Sequence, residues 1–487
     1  MAANNFFISS NVFYGNRNRG EDSDDDELDF VASDSDEYRP SDGNSSDSDL
    51  PDSTESSGEE NEEIEPSEQI PGTSKRTDTW TTVTGQSLKA FVFEQNTARA
   101  TDILPVTSAM RPIDVYNLMV TEDIFQLIVI ETNKNANKFL QNITITRNSR
   151  SKRWEDTNIP EIKQFLGLVM YMGIVKYPSI AHYWNTGNFF KNSFVPKVMS
   201  RNRFQLILKF IHFADNSAFI GNRLGKVSTL LELLERNFVN ARTPNEILAV
   251  DESMIPWRGR LQFRQYNPGK SHKYGVKVYK LCDPYGYTYT SSIYAGKTES
   301  NIQRGRPTPT TSHSTQIVLD LAEKYLDQGR TIATDNFYTS VSLAKHLLDR
   351  QTHLFGTLRN NRTGNPKEVT NAKLKKHEVK GMEDSGIVVA KWKDKRDVLM
   401  LSTKHGLEEV GTGKRNRDGQ ETKKLRMIVD YNHAKQGIDI SDQMACYFTP
   451  LRKTIRWYHK IAFEFLLSTS IVNALVIYKK HNKKCTI

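Results

Sequence analysis

Four aspartates stand where folding would bring side-chain oxygens to a shared rim. Asp251 closes the apolar run ILAV (247–250) and Asp335 closes TIAT (331–334). Short, continuous apolar runs read as central strands, so both carboxylates are expected at strand ends. Asp439 lies in GIDISDQMACYF, where the pattern predicts the start of a helix, and Asp442 follows three residues on. Residues i and i+3 of a helix share a face, so these two can point the same way. Alternation along a strand puts Asp251 and Glu252 on opposite faces, so only one of that pair can join a common site. Carboxylates converging from two strands and a helix suit a pair of Mg²⁺ ions. Hard cations take oxygen ligands, and two of them about 3.5–4 Å apart stabilise attacking and leaving oxygens in phosphodiester chemistry. An aspartate after a strand also serves as a turn former or helix N-cap, and pattern alone leaves both roles open. Asp283, in the hairpin turn Asp283-Pro284-Tyr285-Gly286, reads as structural.

Between the first two carboxylates runs PWRGRLQFRQYNPGKSHKYGVKVYK (256–280). It interleaves Arg258, Arg260, Arg264, Lys270, Lys273 and Lys277 with Trp257, Phe263, Tyr266 and Tyr274. Basic groups bind phosphates and aromatic rings stack on splayed bases, so this suits nucleic acid; a solvated basic edge is the plainer alternative. Further basic clusters run from Lys391 to Arg396, around Trp392, and from Lys414 to Arg426. Charge is segregated along the chain. Residues 1–70 hold 21 acidic and three basic side chains, a net of −18, whereas the rest carries 63 basic and 37 acidic, a net of +26. So basic a body attracts polyanions, nucleic acid before anionic membrane.

Three distant cysteines (Cys282, Cys446, Cys485) exclude a disulfide scaffold and argue against a cysteine-based zinc site. The 11 histidines show no ligand spacing, so no zinc is expected. The first ten residues lack a basic n-region and an apolar h-region, against a signal peptide. The most apolar run, 465–478, is 14 residues long. That is short of the ~20 that span a bilayer, so a buried core helix is expected and no membrane partner.

A length of 487 residues points to about three folding units. Residues 20–76 are Ser, Asp, Glu and Pro with too little to bury to offset the entropy of ordering. They read as a disordered tail, either solubilising or an autoinhibitory, phosphorylatable arm that competes with nucleic acid for the basic body. Helical spacing marks 117–141, 161–175, 201–215 and 228–241. Near 246 the period changes. Residues 276–295 form two β-rich runs, 315–328 and 340–350 read as helices, and MIVDY (427–431) as a strand. The segment 357–425, with the strand-like VLMLST (398–403), reads as an insertion outside the main sheet.

These blocks resemble piggyBac-type transposases. The resemblance rests on VDESMIPWRGRLQFRQYNPGKSHKYGVKVYKLCD (250–283), ATDNFYTSVSLAKHLL (333–348), GTLRNNR (356–362) and DYNHAKQGIDISDQM (430–444). YWNT (183–186), MSRNRFQLILKFIHFAD (199–215) and RKTIRWYHK (452–460) fit the same family in the same order, from about Trp80 to Tyr478. Host-genome proteins derived from such elements are similar too.

The resemblance implies an α/β fold with a ribonuclease-H-like catalytic domain in two parts, 246–356 and 427–456, split by an insertion domain over 357–426. Helical segments 79–245 and 457–487 would form a dimerisation and DNA-binding domain, behind a disordered acidic region over 1–78. It implies a DDD site of Asp251, Asp335 and Asp439 with Asp442 accessory, holding two Mg²⁺ ions for which Mn²⁺ can substitute. Arg359, Arg362, Lys391 and Lys393 join the basic stretch as expected nucleic-acid contacts. The implied reaction is nuclear cut-and-paste DNA transposition by a homodimer: a first nick, a flanking hairpin formed by the freed 3′-hydroxyl, and joining to TTAA targets. Two departures stand against it: Gln436-Gly437 replaces the family's Gly-Gly, and the C-terminal cysteine-rich zinc domain has no counterpart before KKHNKKCTI. The alternative is a domesticated or truncated nuclear DNA-binding protein that does not transpose.

Overall fold

The computed structural model describes residues 79–93, 106–142, 149–215, 222–268, 270, 272–296, 311–415, 419, 421–451 and 456–482. The acidic region expected over 1–78 lies outside the described residues.

The helical part opens with α1 (Pro112–Met119) and α2 (Glu122–Asn142). One helix over 117–141 is therefore not formed. Val120 closes α1 onto the Tyr116 carbonyl, and the Thr121 carbonyl starts α2 by accepting from Ile124 and Phe125. In α3 (Ile159–Ile174) the Asn158 side chain accepts from the Glu161 N–H and Pro160 occupies the first turn, where its missing N–H costs nothing. Then come α4 (Val195–Val198), α5 (Arg201–Phe210) and α6 (Ser228–Ala241).

The rest is built on a ten-stranded mixed sheet. Its strands are β1 (Thr81–Thr82), β2 (Ile247–Pro256), β3 (Gln265–Tyr266), β4 (Tyr274–Cys282), β5 (Thr288–Ile293), β6 (Thr331–Thr334), β7 (His353–Thr357), β8 (Val379–Asp384), β9 (Ile387–Lys393) and β10 (Asp397–Ser402). The order is β1-β8-β9-β10-β7-β6-β2-β4-β3, with β5 also on β4. Among the described residues, β2–β6 and β6–β7 are the pairs that run parallel. Parallel neighbours need crossovers, supplied by α7 (His313–Ala322) before β6 and α8 (Val341–Asp349) before β7. A short α9 (Lys367–Thr370) precedes β8, and a separate hairpin of β11 (Glu409–Arg415) and β12 (Glu421–Leu425) leads into α10 (Arg426–Tyr447).

Two expectations are corrected here. The run 398–403 is not outside the main sheet. As β10 it pairs with β7, Met400 opposite Thr357, and with β9. Val388, Val389, Ala390, Leu399, Met400 and Leu401 are buried, so these strands are apolar on both faces and cover the edge that β7 would otherwise expose. MIVDY is helical, not a strand. Met427, Ile428 and Tyr431 continue through Ala434 and Ile438 at helical spacing, and all five are buried under the sheet; five residues alone do not reveal that period.

The two faces of the sheet carry separate cores. Leu248 and Val250 pack with α7 and α8 residues such as Val318 and Leu343, whereas Ala249, Ala333 and Phe355 pack under α10. The chain closes with α11 (Trp457–Glu464), a π-helical turn over Phe465–Thr469, and α12 (Ser470–His481). Together they span 25 residues with an 18-residue window of mean hydropathy 1.8, long and apolar enough to cross a bilayer, yet 72% of that window is buried inside the protein. Burial against α1 and the sheet makes this the core helix that the sequence leads one to expect.

Asp283 is structural, as its turn position implies. Its carboxylate is fully buried, 2.9 Å from the Arg242 guanidinium, and accepts from the Tyr285 and Tyr287 N–H groups. Arg242→Met would strand that charge, so unfolding in urea should show a loss of about 3–5 kcal/mol.

Candidate carboxylate site and basic edge

The parallel register of β2 and β6 builds the site. The last registered pair is Val250 opposite Thr334. Asp251 and Asp335 therefore stand side by side just past that pair, on strands about 4.8 Å apart. Asp335 follows the end of β6, but Asp251 lies inside β2, which continues to Pro256 with Asp251 opposite Lys280 of β4, so the expectation of a strand end at 251 is corrected. Both share the face of Ala249 and Ala333, the one α10 covers. Asp251 Oδ1 accepts from the Glu252 N–H at 2.8 Å, and Asp335 Oδ1 from the Phe337 N–H at 2.9 Å. The second bond is an Asx turn that carries the chain toward α8.

Two half-buried carboxylates at this spacing resist ionisation. Burial, then the charges of Glu252 and Asp335, push Asp251 up to about 8. Burial and Glu252 raise Asp335 too. Lys270 and Arg359 pull the other way without prevailing. Glu252 keeps to the opposite face, as alternation requires, and accepts from the Tyr338 hydroxyl at 3.2 Å.

Asp439 and Asp442 sit well inside α10, not at a helix start, because that helix runs unbroken from Arg426. Asp439 is exposed on the helix flank. Beneath it, Tyr431 is pushed up to about 12, by burial first and also by Asp335, Asp251 and Asp439. That phenol feels the charge of all three carboxylates. Among the described residues, however, no three His, Cys, Asp or Glu side chains converge closely enough to hold a metal ion. The fold joins Asp251 to Asp335 and leaves Asp439 on the helix beside them. Asp442 is already engaged, accepting from Ser253 Oγ at 2.6 Å and Lys280 Nζ at 3.0 Å.

The donor set where the β2–β6 pairing ends is all oxygen, and its pKa values are raised by burial first and by neighbouring carboxylate charge after it. A hard divalent cation fits such a pair.

Gly437 lets α10 lie close enough to matter. A Cβ there would run into the Asp283 carbonyl. Gln436, where the resemblance departs, is exposed on the far side and displaces nothing.

The basic stretch divides. Arg258, Arg260, Arg264 and Lys273 are exposed, and Lys270 and Lys277 half-buried. The Lys270 ammonium binds the Glu252 carbonyl at 2.9 Å, beside the carboxylates. Of the aromatics, Tyr266 and Tyr274 are exposed and pack together with ring centroids 4.8 Å apart. Trp257 and Phe263 are buried, and Phe263 meets Trp457 edge-on, so neither offers a face to a base. Arg359 is exposed near Asp335 over the Phe337 ring, and Arg362 donates to the Phe337 carbonyl. Lys391 is a correction. Its side chain is buried, with the ammonium on the Thr370 and Ala372 carbonyls and beside Asp397, so it is not free for phosphate. Lys393 is half-buried and paired with Asp397 at 2.6 Å.

Sequence reasoning missed Ser253, Lys280, Tyr338 and Tyr431. Each lies inside a motif already quoted, but their roles follow from register and from α10, which no local pattern encodes.

The family model described as Transposase IS4 matches residues 111–475. PiggyBac transposable element-derived proteins 2 and 3 of Homo sapiens are 24% identical over 383 residues and 26% over 400, covering 76% and 77% of this chain. The chain spans 62% of the length of each. A cryo-EM structure titled as a piggyBac transposase synaptic complex with hairpin DNA shares the fold. Its TM-score is 0.65 at 26% identity, covering 76% of this chain and 75% of that one.

Because the folded pKa of Asp251, about 8, lies above the ordinary 3.8, ionising it in the fold costs stability progressively between those values and by a constant amount above them. Asp251→Asn should change denaturant midpoints little near the lower end and raise them increasingly toward the upper. An equal gain throughout would contradict the crowding of these carboxylates.

Proposed function

Since this chain belongs to the Transposase IS4 family, we propose that it is a divalent-cation-dependent DNA transposase of the piggyBac type. The observation that carries this reading is Asp251 standing beside Asp335 where the parallel pairing of β2 with β6 ends. The order β5-β4-β2-β6-β7, antiparallel up to β2 and parallel beyond, supports a ribonuclease-H-like catalytic domain over 246–356 and 427–456. On this reading the insertion over 357–426 lengthens that domain's own sheet, while 79–245 and 457–487 form the helical dimerisation and DNA-binding part.

Asp251 and Asp335 would hold the cation, Mg²⁺ or Mn²⁺, with Asp439 completing the set from α10. When bound, the cation supplies Lewis acidity at a phosphodiester oxygen. The chain's own groups do the rest. Arg258, Arg260, Arg264 and Lys273 take phosphates along an exposed edge, and Lys270 joins that edge to the carboxylates. Double-stranded DNA is the substrate, cut in the nucleus at element ends, closed as a hairpin and rejoined at TTAA. The piggyBac transposase of similar fold is bound to hairpin DNA in a synaptic complex, which supports a hairpin among those steps.

A second reading, a nuclear DNA-binding protein that does not cut, is favoured by the exposed Asp439 and by the lack of a three-carboxylate group among the described residues.

Nicking of TTAA-flanked element ends decides between them. Asp335→Asn should abolish Mg²⁺-dependent nicking and leave gel-shift affinity intact; unchanged nicking removes the assignment. Wild-type binding with no nicking selects the second reading. Replacing Arg258, Arg260 and Arg264 with Ser should flatten the dependence of log affinity on log salt by about 0.9 for each phosphate no longer neutralised.

A further inference from the structure

Asp251 has two close neighbours on its own face of the sheet. Ser253 follows it along β2, and Lys280 of β4 is its cross-strand partner in the register. Both donate to one oxygen, Oδ1 of Asp442, at 2.6 and 3.0 Å. The Lys280 side chain is 3% exposed, so its ammonium has no water to turn to. Glu464 of α11 also lies near it, but Asp442 is the carboxylate its ammonium is hydrogen-bonded to. The base that pulls on Asp251 is Lys270. A buried ammonium across from Asp251 is thus turned onto the helix instead.

We infer that Asp442 is a positioning residue, not a cation ligand: it holds Lys280 off Asp251 and pins α10, with Asp439 one turn away, to the sheet. The inference deepens the carboxylate site proposed above and rests on it. Released from Asp442, the Lys280 charge would compete with a cation for Asp251. Coupling of this kind at the edge of a metal site changes affinity by about 10–100-fold.

The test uses the full chain with Mn²⁺ alone as probe, its binding followed by electron paramagnetic resonance. Wild-type binding that Asp251→Asn removes establishes the site; if there is none, the carboxylate reading fails, and the inference with it. With the site established, Asp442→Asn keeps the shape of the side chain but frees the ammonium, and should weaken Mn²⁺ binding by about 10–100-fold. The Mn²⁺ concentration for half-maximal nicking should rise in step, with the saturated rate kept. Adding Lys280→Met to Asp442→Asn should restore most of the affinity. A ligand role predicts no restoration, and that result overturns the inference. Should Asp442→Asn not fold, Lys280→Met alone decides: unchanged or tighter Mn²⁺ binding upholds the inference, and looser binding overturns it.

Discussion

The burial of two neighbouring carboxylates, with Glu252 adding its charge to both, is the constraint that the α/β part has to meet. Asp251 and Asp335 stand side by side on neighbouring parallel strands, just past the last registered pair. Parallel pairing requires the α7 and α8 crossovers, which fill the face behind the strands with Val318, Leu321, Leu343 and Leu347. The opposite face, left to the carboxylates, is roofed by α10. Backbone amides of Glu252 and Phe337 soften the repulsion without cancelling it. The charge that remains makes the spot a place for a cation rather than a defect of packing.

Much of this was legible in the sequence, because it depended on local periodicity. TIAT ends at Thr334, where β6 ends, and α6 occupies the 228–241 pattern. The Asp283 turn follows from residue types with one good conformation. What was not legible depended on burial by distant chain. Lys391 reads as a surface cation by composition, yet a long side chain can bury its stem and deliver its charge to two carbonyls. Trp257 and Phe263 sit among arginines in sequence, but pack inward once α11 is in place. The short run MIVDY from Met427 looks like a strand until the turns beyond it show the helical repeat.

The departure at Gln436-Gly437 shows how such differences should be weighed. Of the two positions, only 437 touches the β4–β5 turn, and only there would a side chain strike the Asp283 carbonyl. Glycine is kept where contact forbids anything larger. The Asp283 ion pair and the docking of α10 are thereby one mechanical unit, since the turn that Arg242 steadies is the surface on which Gly437 rests.

The interposed strands have a temporal consequence. β8, β9 and β10 are translated after Asp251 and Asp335 but before α10, and they join the same sheet. During ribosomal synthesis Asp251 and Asp335 emerge first and must wait, uncovered, while the edge beside β7 is filled. Asp439 arrives only with α10, so a nascent chain carries an unfinished acid cluster until that helix is released.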